Sequence, residues 1–223
     1  MATISFAAGD QTGTGYLALP ERGHGPGVLV LHAWWGLTPV FHAACDRLAQ
    51  AGFVACAPDL YYGRTAASIE EAQRLIEQRD FERMHTTAVA ALDYLRDHAA
   101  VSSDAVATLG FSMGAAWSIF LASERPADVA ATVIFYGSEG AEFAVARAAY
   151  LGHFAEDDEW EPLDGVRQME ADMRAAGREV TFYTYPGAKH WFTEPNRPEY
   201  DQAAAELAWQ RTIAFLHQRL ESY

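Results

Sequence analysis

Three kinds of residue in this chain could together activate a nucleophile: a serine, Ser112; the histidines that follow it, His153, His190 and His217; and the carboxylate run Glu156-Asp157-Asp158-Glu159. A serine hydroxyl attacks poorly at neutral pH. It needs a histidine to take its proton, and the histidine needs a carboxylate to fix its tautomer. Ser112 stands at the centre of Gly110-Phe111-Ser112-Met113-Gly114, a G-x-S-x-G pattern. The apolar run Ala105 to Leu109 precedes it, as suits a buried strand, and the Ala-rich run Ala115 to Ala122 follows, as suits a buried helix. Strand, tight turn and helix together hold the serine in a strained conformation that exposes its hydroxyl. The flanking glycines avoid clashes, and the Met113 amide lies at a helix N-terminus, where it can donate to a developing oxyanion. An ordinary turn with an N-capping serine is the alternative, and the apolar flanks on both sides favour the catalytic one.

In α/β hydrolases the acid and then the base follow the serine. His190 lies in Tyr185-Pro-Gly-Ala-Lys-His-Trp-Phe192, where Pro186-Gly187 predicts a loop that carries it over the sheet edge. His153 falls inside a strand run, which predicts a buried, hydrogen-bonded histidine, and His217 falls in the last helix. The acid is expected in a loop Ala155 to Trp160. Asp157 and Asp158 are its candidates, and spacing does not separate them.

The elements that must position these groups alternate. Thr3 to Ala8 and Gly15 to Leu19 read as a hairpin. Continuous apolar runs at Gly27–His32, Phe53–Ala57, Val129–Tyr136, Tyr150–Phe154 and Val180–Tyr185 read as strands buried on both faces. Helices are predicted at Phe41–Ala51 (closed by Gly52), after the capping box Ser68-Ile-Glu-Glu71, through Met84–Leu95, at Leu163–Ala176 and at Asp201–Leu220. The class is α/β: a parallel sheet with helices on both faces. The site is then expected beyond the carboxyl ends of the strands.

Composition narrows the partners. The 223 residues, half of them hydrophobic, suit one α/β domain. A formal net charge of −14 excludes nucleic acid and anionic membrane surfaces as natural partners. Cys45 and Cys56 read as separate buried thiols. The stretch MATISFAAGD lacks a basic region followed by a long apolar one, so the expected compartment is the cytoplasm.

Five segments together resemble the dienelactone hydrolase family of α/β-hydrolases: Val28-LVLHAWWGL37, Ala57-Pro-Asp-Leu-Tyr61, Gly110-FSMG114, His153-FAEDDEWEP162 and Gly187-AKHWF192. The resemblance covers nearly the whole chain. It implies a single cap-less α/β-hydrolase domain over residues 1–223, with a mostly parallel eight-stranded sheet. It implies cleavage of small-molecule esters or lactones with no metal and no cofactor. Asp158 takes the acid position, and the amide of Trp34 becomes the second oxyanion donor beside that of Met113. The name-giving enzymes carry a cysteine nucleophile, a glutamate before the oxyanion residue, and an arginine four residues after the histidine. Here those positions are Ser112, Ala33 and Glu194. The first two changes agree physically, since an acid beside the hydroxyl would compete with His190 for its proton. Glu194 in place of a cation predicts a preference for neutral over carboxylate-bearing substrates, received in a pocket flanked by Trp34, Trp35, Trp160, Trp191 and Phe192. Acyl transfer or peptide hydrolysis would use the same residues. A hydrolase fold kept as a binding module would have no need of the intact Ser-Asp-His set.

Overall fold

In the computed structural model, which describes residues 2–220, eight strands form one mostly parallel sheet with six helices on its two faces. The chain divides into two compact units, Met1–Val106 and Ala107–Tyr223.

In the first unit, β1 (Ala2–Ala8) and β2 (Gln11–Ala18) form the expected hairpin about Gly9-Asp10, with Gly9 at φ +61°. β2 starts earlier than its apolar pattern suggests, because the pairing runs out to Ala8 and Gln11. β2 also pairs antiparallel with β4 (Val54–Pro58), which pairs parallel with β3 (Gly27–Leu31). Every residue of β3 and β4 is buried, as continuous apolar runs require. Three helices follow: α1 (Pro39–Gln50), α2 (Ile69–Glu77) and α3 (Phe81–Arg96). Pro39 opens α1. Gly52, at φ +99°, closes it in a conformation that costs a larger residue free energy. The Ser68 hydroxyl and the Glu71 carboxylate cap α2 reciprocally. α3 buries Met84, Ala88, Ala91, Leu92 and Leu95 on one face, each large side chain contributing about 2 kcal/mol.

The second unit carries the chain from β5 (Val106–Phe111, whose first residue lies at the boundary) into α4 (Met113–Glu124). β6 (Val129–Phe135), β7 (Ala149–Asp157) and β8 (Val180–Lys189) pair parallel in that order, and α5 (Leu163–Ala175) and α6 (Gln202–Leu220) complete the unit. α4 buries residues on most of its circumference, Trp117, Ile119 and Leu121 among them, as a helix without a polar face must.

Two further differences from the sequence expectation bear on the site. The strand expected to end at Phe154 continues to Asp157, so Glu156 and Asp157 are strand residues rather than loop. The Pro186-Gly187 segment, expected as a loop, is a bulge inside β8. Pairing runs from Ala155–Tyr185 to Asp157–Lys189, so Glu156 lies opposite three residues, Pro186 to Ala188. β8 is an edge strand, where a missing proline N–H is tolerated. Gly187 takes φ +68°, and its amide donates to the Glu156 carboxylate at 2.9 Å. The bulge re-aims the strand end that leads to His190.

Candidate active site

The turn around Ser112 is tighter than its five-residue pattern suggests. β5 runs through Phe111 and α4 begins at Met113, which leaves Ser112 alone to reverse the chain. It does so at φ 51°, ψ −114°, a conformation that costs a non-glycine residue of order 1–3 kcal/mol. The Ser112 amide donates to the Phe135 carbonyl at 2.9 Å, and the Ser112 carbonyl accepts from the Ala115 amide at 2.8 Å. A Cβ on Gly110 would sit 2.0 Å from the Gly114 carbonyl oxygen. Only glycine at 110 lets strand and helix approach this closely.

Three of the expected site side chains meet. His190 Nε2 lies 3.1 Å from Ser112 Oγ. On the other side of the ring, His190 Nδ1 lies 2.8 Å from Asp158 Oδ2 and 3.0 Å from Oδ1. Asp158 Oδ1 also accepts the amides of Trp160 and Glu161, both at 2.9 Å. A carboxylate only accepts, so Nδ1 carries the proton and Nε2 is left to accept from the serine hydroxyl. The histidine and aspartate side chains are 4% and 2% exposed. Asp157, the alternative that spacing left open, is the exposed last residue of β7 and pairs with Lys189. At the end of β7 one aspartate is exposed and the next reaches His190.

Aromatic rings enclose the imidazole: Tyr136 at 4.9 Å between centroids, Trp191 at 5.0 Å and Trp160 at 6.4 Å. Trp160 is 43% exposed, whereas Trp191 and Phe192 are buried. The Arg197 guanidinium sits over the Trp191 ring at 5.1 Å.

Glu194, for which the sequence predicts an effect on substrate charge, is a buried group. It is 1% exposed and accepts a 2.9 Å hydrogen bond from the Tyr136 hydroxyl. The other histidines are as expected. His153 is fully buried between the Tyr185 hydroxyl (2.9 Å) and the Thr212 hydroxyl (3.0 Å), and burial pulls it down to about 3. His217 lies in α6. Cys45 and Cys56 are free and buried, and burial pushes the Cys56 thiol up to about 12.

In the first unit, the segment of Trp34 is held on two sides. His32, fully buried, donates from Nδ1 to the Ala33 carbonyl at 2.7 Å and accepts the Leu60 amide at Nε2 at 3.1 Å. Burial pulls its pKa down, which keeps the ring neutral in that tautomer. The Trp35 carbonyl accepts from the Ala66 amide at 2.9 Å, and Gly36, at φ +83°, leaves a Cβ no room beside the Arg64 carbonyl. Asp59 fixes the neighbouring turn by accepting the amides of Tyr61 and Gly63.

Sequence reasoning missed Tyr136, which read only as the end of a strand. Ser138 and Glu161 fall in the stretches after strand ends where the site is expected, with no role assigned to either. Glu161 Oε2 accepts the Ser138 amide at 3.0 Å and the Ser138 hydroxyl at 2.5 Å, tying the acid segment to the segment after β6. Burial first, and then the Asp158 charge, push Glu161 up to about 7 against the opposing pull of the Ser138 bonds. The unfolded value is near 4.5. Between those values the folded protein holds a proton that the unfolded chain has released, so stability falls as pH rises through the window. His153 works with the opposite sign. At about 3 folded against 6.5 unfolded, it lowers stability as pH falls below 6.5. Glu161→Gln should therefore gain stability relative to wild type as pH rises from about 4.5 to 7, read as the urea midpoint at each pH. A difference that stays flat across the window would show that Glu161 does not titrate there.

Among the described residues no cluster of three or more His, Cys, Asp or Glu could hold a metal ion, and no helix is long and apolar enough to cross a membrane.

A model of the dienelactone hydrolase family matches residues 14–220. The chain belongs to the dienelactone hydrolase family. Within the family it is similar to Protein usf of Aquifex pyrophilus, at 35% identity over 216 residues, 92% of this chain and 93% of that one. It is also similar to a protein of Aquifex aeolicus provisionally named a carboxymethylenebutenolidase, at 31% identity over 90% of this chain and 91% of that one. Among solved structures it superposes on the dienelactone hydrolase-like promiscuous phosphotriesterase P91 from metagenomic libraries, with a TM-score of 0.87, 24% identity and 98% of both chains covered. It also superposes on the thermophilic esterase Est2 of Thermogutta terrifontis, with a TM-score of 0.74, 18% identity, and 97% of this chain and 91% of that one covered. At those identities the two superpositions establish the α/β-hydrolase fold.

Proposed function

We propose that this family member hydrolyses small carboxylic esters or lactones through a Ser112-His190-Asp158 triad. The observation that carries the reading is the unbroken hydrogen-bonded run from Ser112 Oγ through both ring nitrogens of His190 to Asp158. Ser112 Oγ attacks the ester carbonyl carbon as its proton passes to His190 Nε2. Asp158 stabilises the imidazolium. The tetrahedral oxyanion is received by the amide of Met113, at the N-terminus of α4, and by that of Trp34, the donor the family resemblance implies. Collapse expels the alcohol, which takes the proton from Nε2. A water molecule then attacks the acyl carbon as its proton passes to the same nitrogen, and the acid leaves as the C–O bond to Ser112 breaks and Oγ takes that proton back.

The substrates that fit are small and uncharged. Trp160 offers an apolar wall beside His190, and a net charge of −14 disfavours encounter with anions. The test is a panel of neutral esters and lactones of graded acyl length beside a carboxylate-bearing lactone. Neutral substrates should have the higher kcat/KM, by about tenfold at low salt, with a smaller gap at high salt. Preference for the anion would overturn this substrate class, and absence of turnover across the panel would overturn the hydrolase reading.

A further inference from the structure

We propose that Tyr136 and Glu194 are a positioning pair that holds the His190 ring in line between Asp158 and Ser112. The role rests on the reading of His190 as the base. Tyr136 is the first residue after β6 and takes φ +39°, which is unfavourable for a bulky side chain. It is fully buried, with its ring edge-on to the imidazole at 4.9 Å. Its hydroxyl donates to Glu194 Oε1 at 2.9 Å and lies 2.8 Å from Thr193 Oγ1. A phenol has one proton, so with that proton given to Glu194 the Thr193 hydroxyl donates back to Tyr136. Both partners belong to the segment that carries His190, three and four residues beyond it. That segment turns through Trp191 at φ +65°, closed by the Phe192 amide to the Lys189 carbonyl (3.1 Å) and the Glu194 amide to the Trp191 carbonyl (2.9 Å). A turn with a strained residue at its centre keeps its shape only when its surroundings hold it.

The end of β6 thereby fixes both reacting groups. The Phe135 carbonyl takes the Ser112 amide, and the next residue's hydroxyl takes the end of the His190 turn. A phenylalanine at 136 would fill the same space without requiring a desolvated carboxylate, and burying one is costly unless it is hydrogen-bonded. The phenol and the carboxylate supply direction, which packing alone lacks. The distance they guard is the 3.1 Å between Nε2 and Oγ. A displacement of about 1 Å there can cost up to about a hundredfold in rate.

Two readouts test the pair, and one does not depend on turnover. In proton NMR of the whole protein, the far-downfield signal of the His190 Nδ1 proton shared with Asp158 should be present in wild type. It should be broadened or lost in Tyr136→Phe and Glu194→Ala, and retained in Glu194→Gln, which keeps an acceptor facing the phenol. In kinetics with a neutral aryl ester, Tyr136→Phe and Glu194→Ala should lower kcat by about ten- to a hundredfold with KM within about twofold. Glu194→Gln should recover most of that loss. The double change should cost no more than the worse single one. Thr193→Val, which removes one partner at constant shape, should lower kcat a few-fold and serves where the larger changes do not fold. An unaltered downfield proton and unaltered kcat in folded Tyr136→Phe would overturn the proposal, as would additive losses or a Glu194→Gln no better than Glu194→Ala. A wild type without Ser112-dependent turnover would sink the hydrolase reading instead, and the NMR comparison would still decide the positioning role.

Discussion

Ser112→Ala should abolish ester hydrolysis, lowering kcat by about five to six orders of magnitude. The same change should remove all fast labelling by a fluorophosphonate probe, which otherwise modifies one site. The size of the effect follows from the geometry. Ser112 Oγ lies 3.1 Å from His190 Nε2. The other candidate nucleophiles are inert, since Cys45 and Cys56 are buried with their thiols held in the protonated form. Alanine at 112 loses no packing and keeps the Met113 amide in place, so residual rate from transition-state binding should survive while covalent turnover does not. Because Ser112 holds a strained φ that alanine tolerates no better, the variant should denature close to wild type. Labelling that persists in Ser112→Ala would move the nucleophile elsewhere and end the proposed mechanism.

The parts of this site that could be read from sequence are those fixed by local chemistry. Gly110, Ser112 and Gly114 announce themselves by their spacing, and the structure gives the reason at Gly110, where a Cβ would strike the backbone of the helix that follows. His153 was separable from His190 because an apolar run on both sides of a histidine predicts burial. The parallel strands followed from the same runs. What spacing left open was set by pairing across the sheet. Spacing does not separate Asp157 from Asp158; the structure does, with Asp157 paired to Lys189 at the end of β7 and Asp158 at His190. Pro186-Gly187 carries a loop signature, yet an edge strand absorbs it as a bulge. Glu194 shows the same limit. Nothing in the sequence around a carboxylate four residues beyond the histidine names its partner Tyr136, 58 positions away. Nothing local marks Tyr136 either: it ends an apolar run as any strand residue might. Long-range polar pairs of this kind leave no period or motif to read.

The second large effect belongs to Asp158. Asp158→Asn should reduce kcat by about 10⁴-fold, and Asp157→Asn by less than about threefold. The carboxylate accepts from His190 Nδ1 at 2.8 Å. An amide of the same shape can present its NH₂ group there instead, which favours the tautomer with the proton on Nε2. That proton blocks acceptance from Ser112 Oγ, so the base is disabled with every atom near its native place. The negative charge that stabilises the imidazolium is lost as well. Oδ1 additionally accepts the amides of Trp160 and Glu161, so an asparagine oriented to satisfy those donors with its oxygen turns its NH₂ toward the ring. The two demands on one amide cannot both be met, and the wrong tautomer is the favoured outcome. Asp157 makes no such contact; it is exposed at the end of β7, and its amide variant should change surface charge alone. The measurement is kcat and kcat/KM of both variants on one neutral ester across pH 6 to 9. Losses of similar small size in the two variants would remove Asp158 from the triad and point to Glu161, the carboxyl whose bond to Ser138 ties down the same segment.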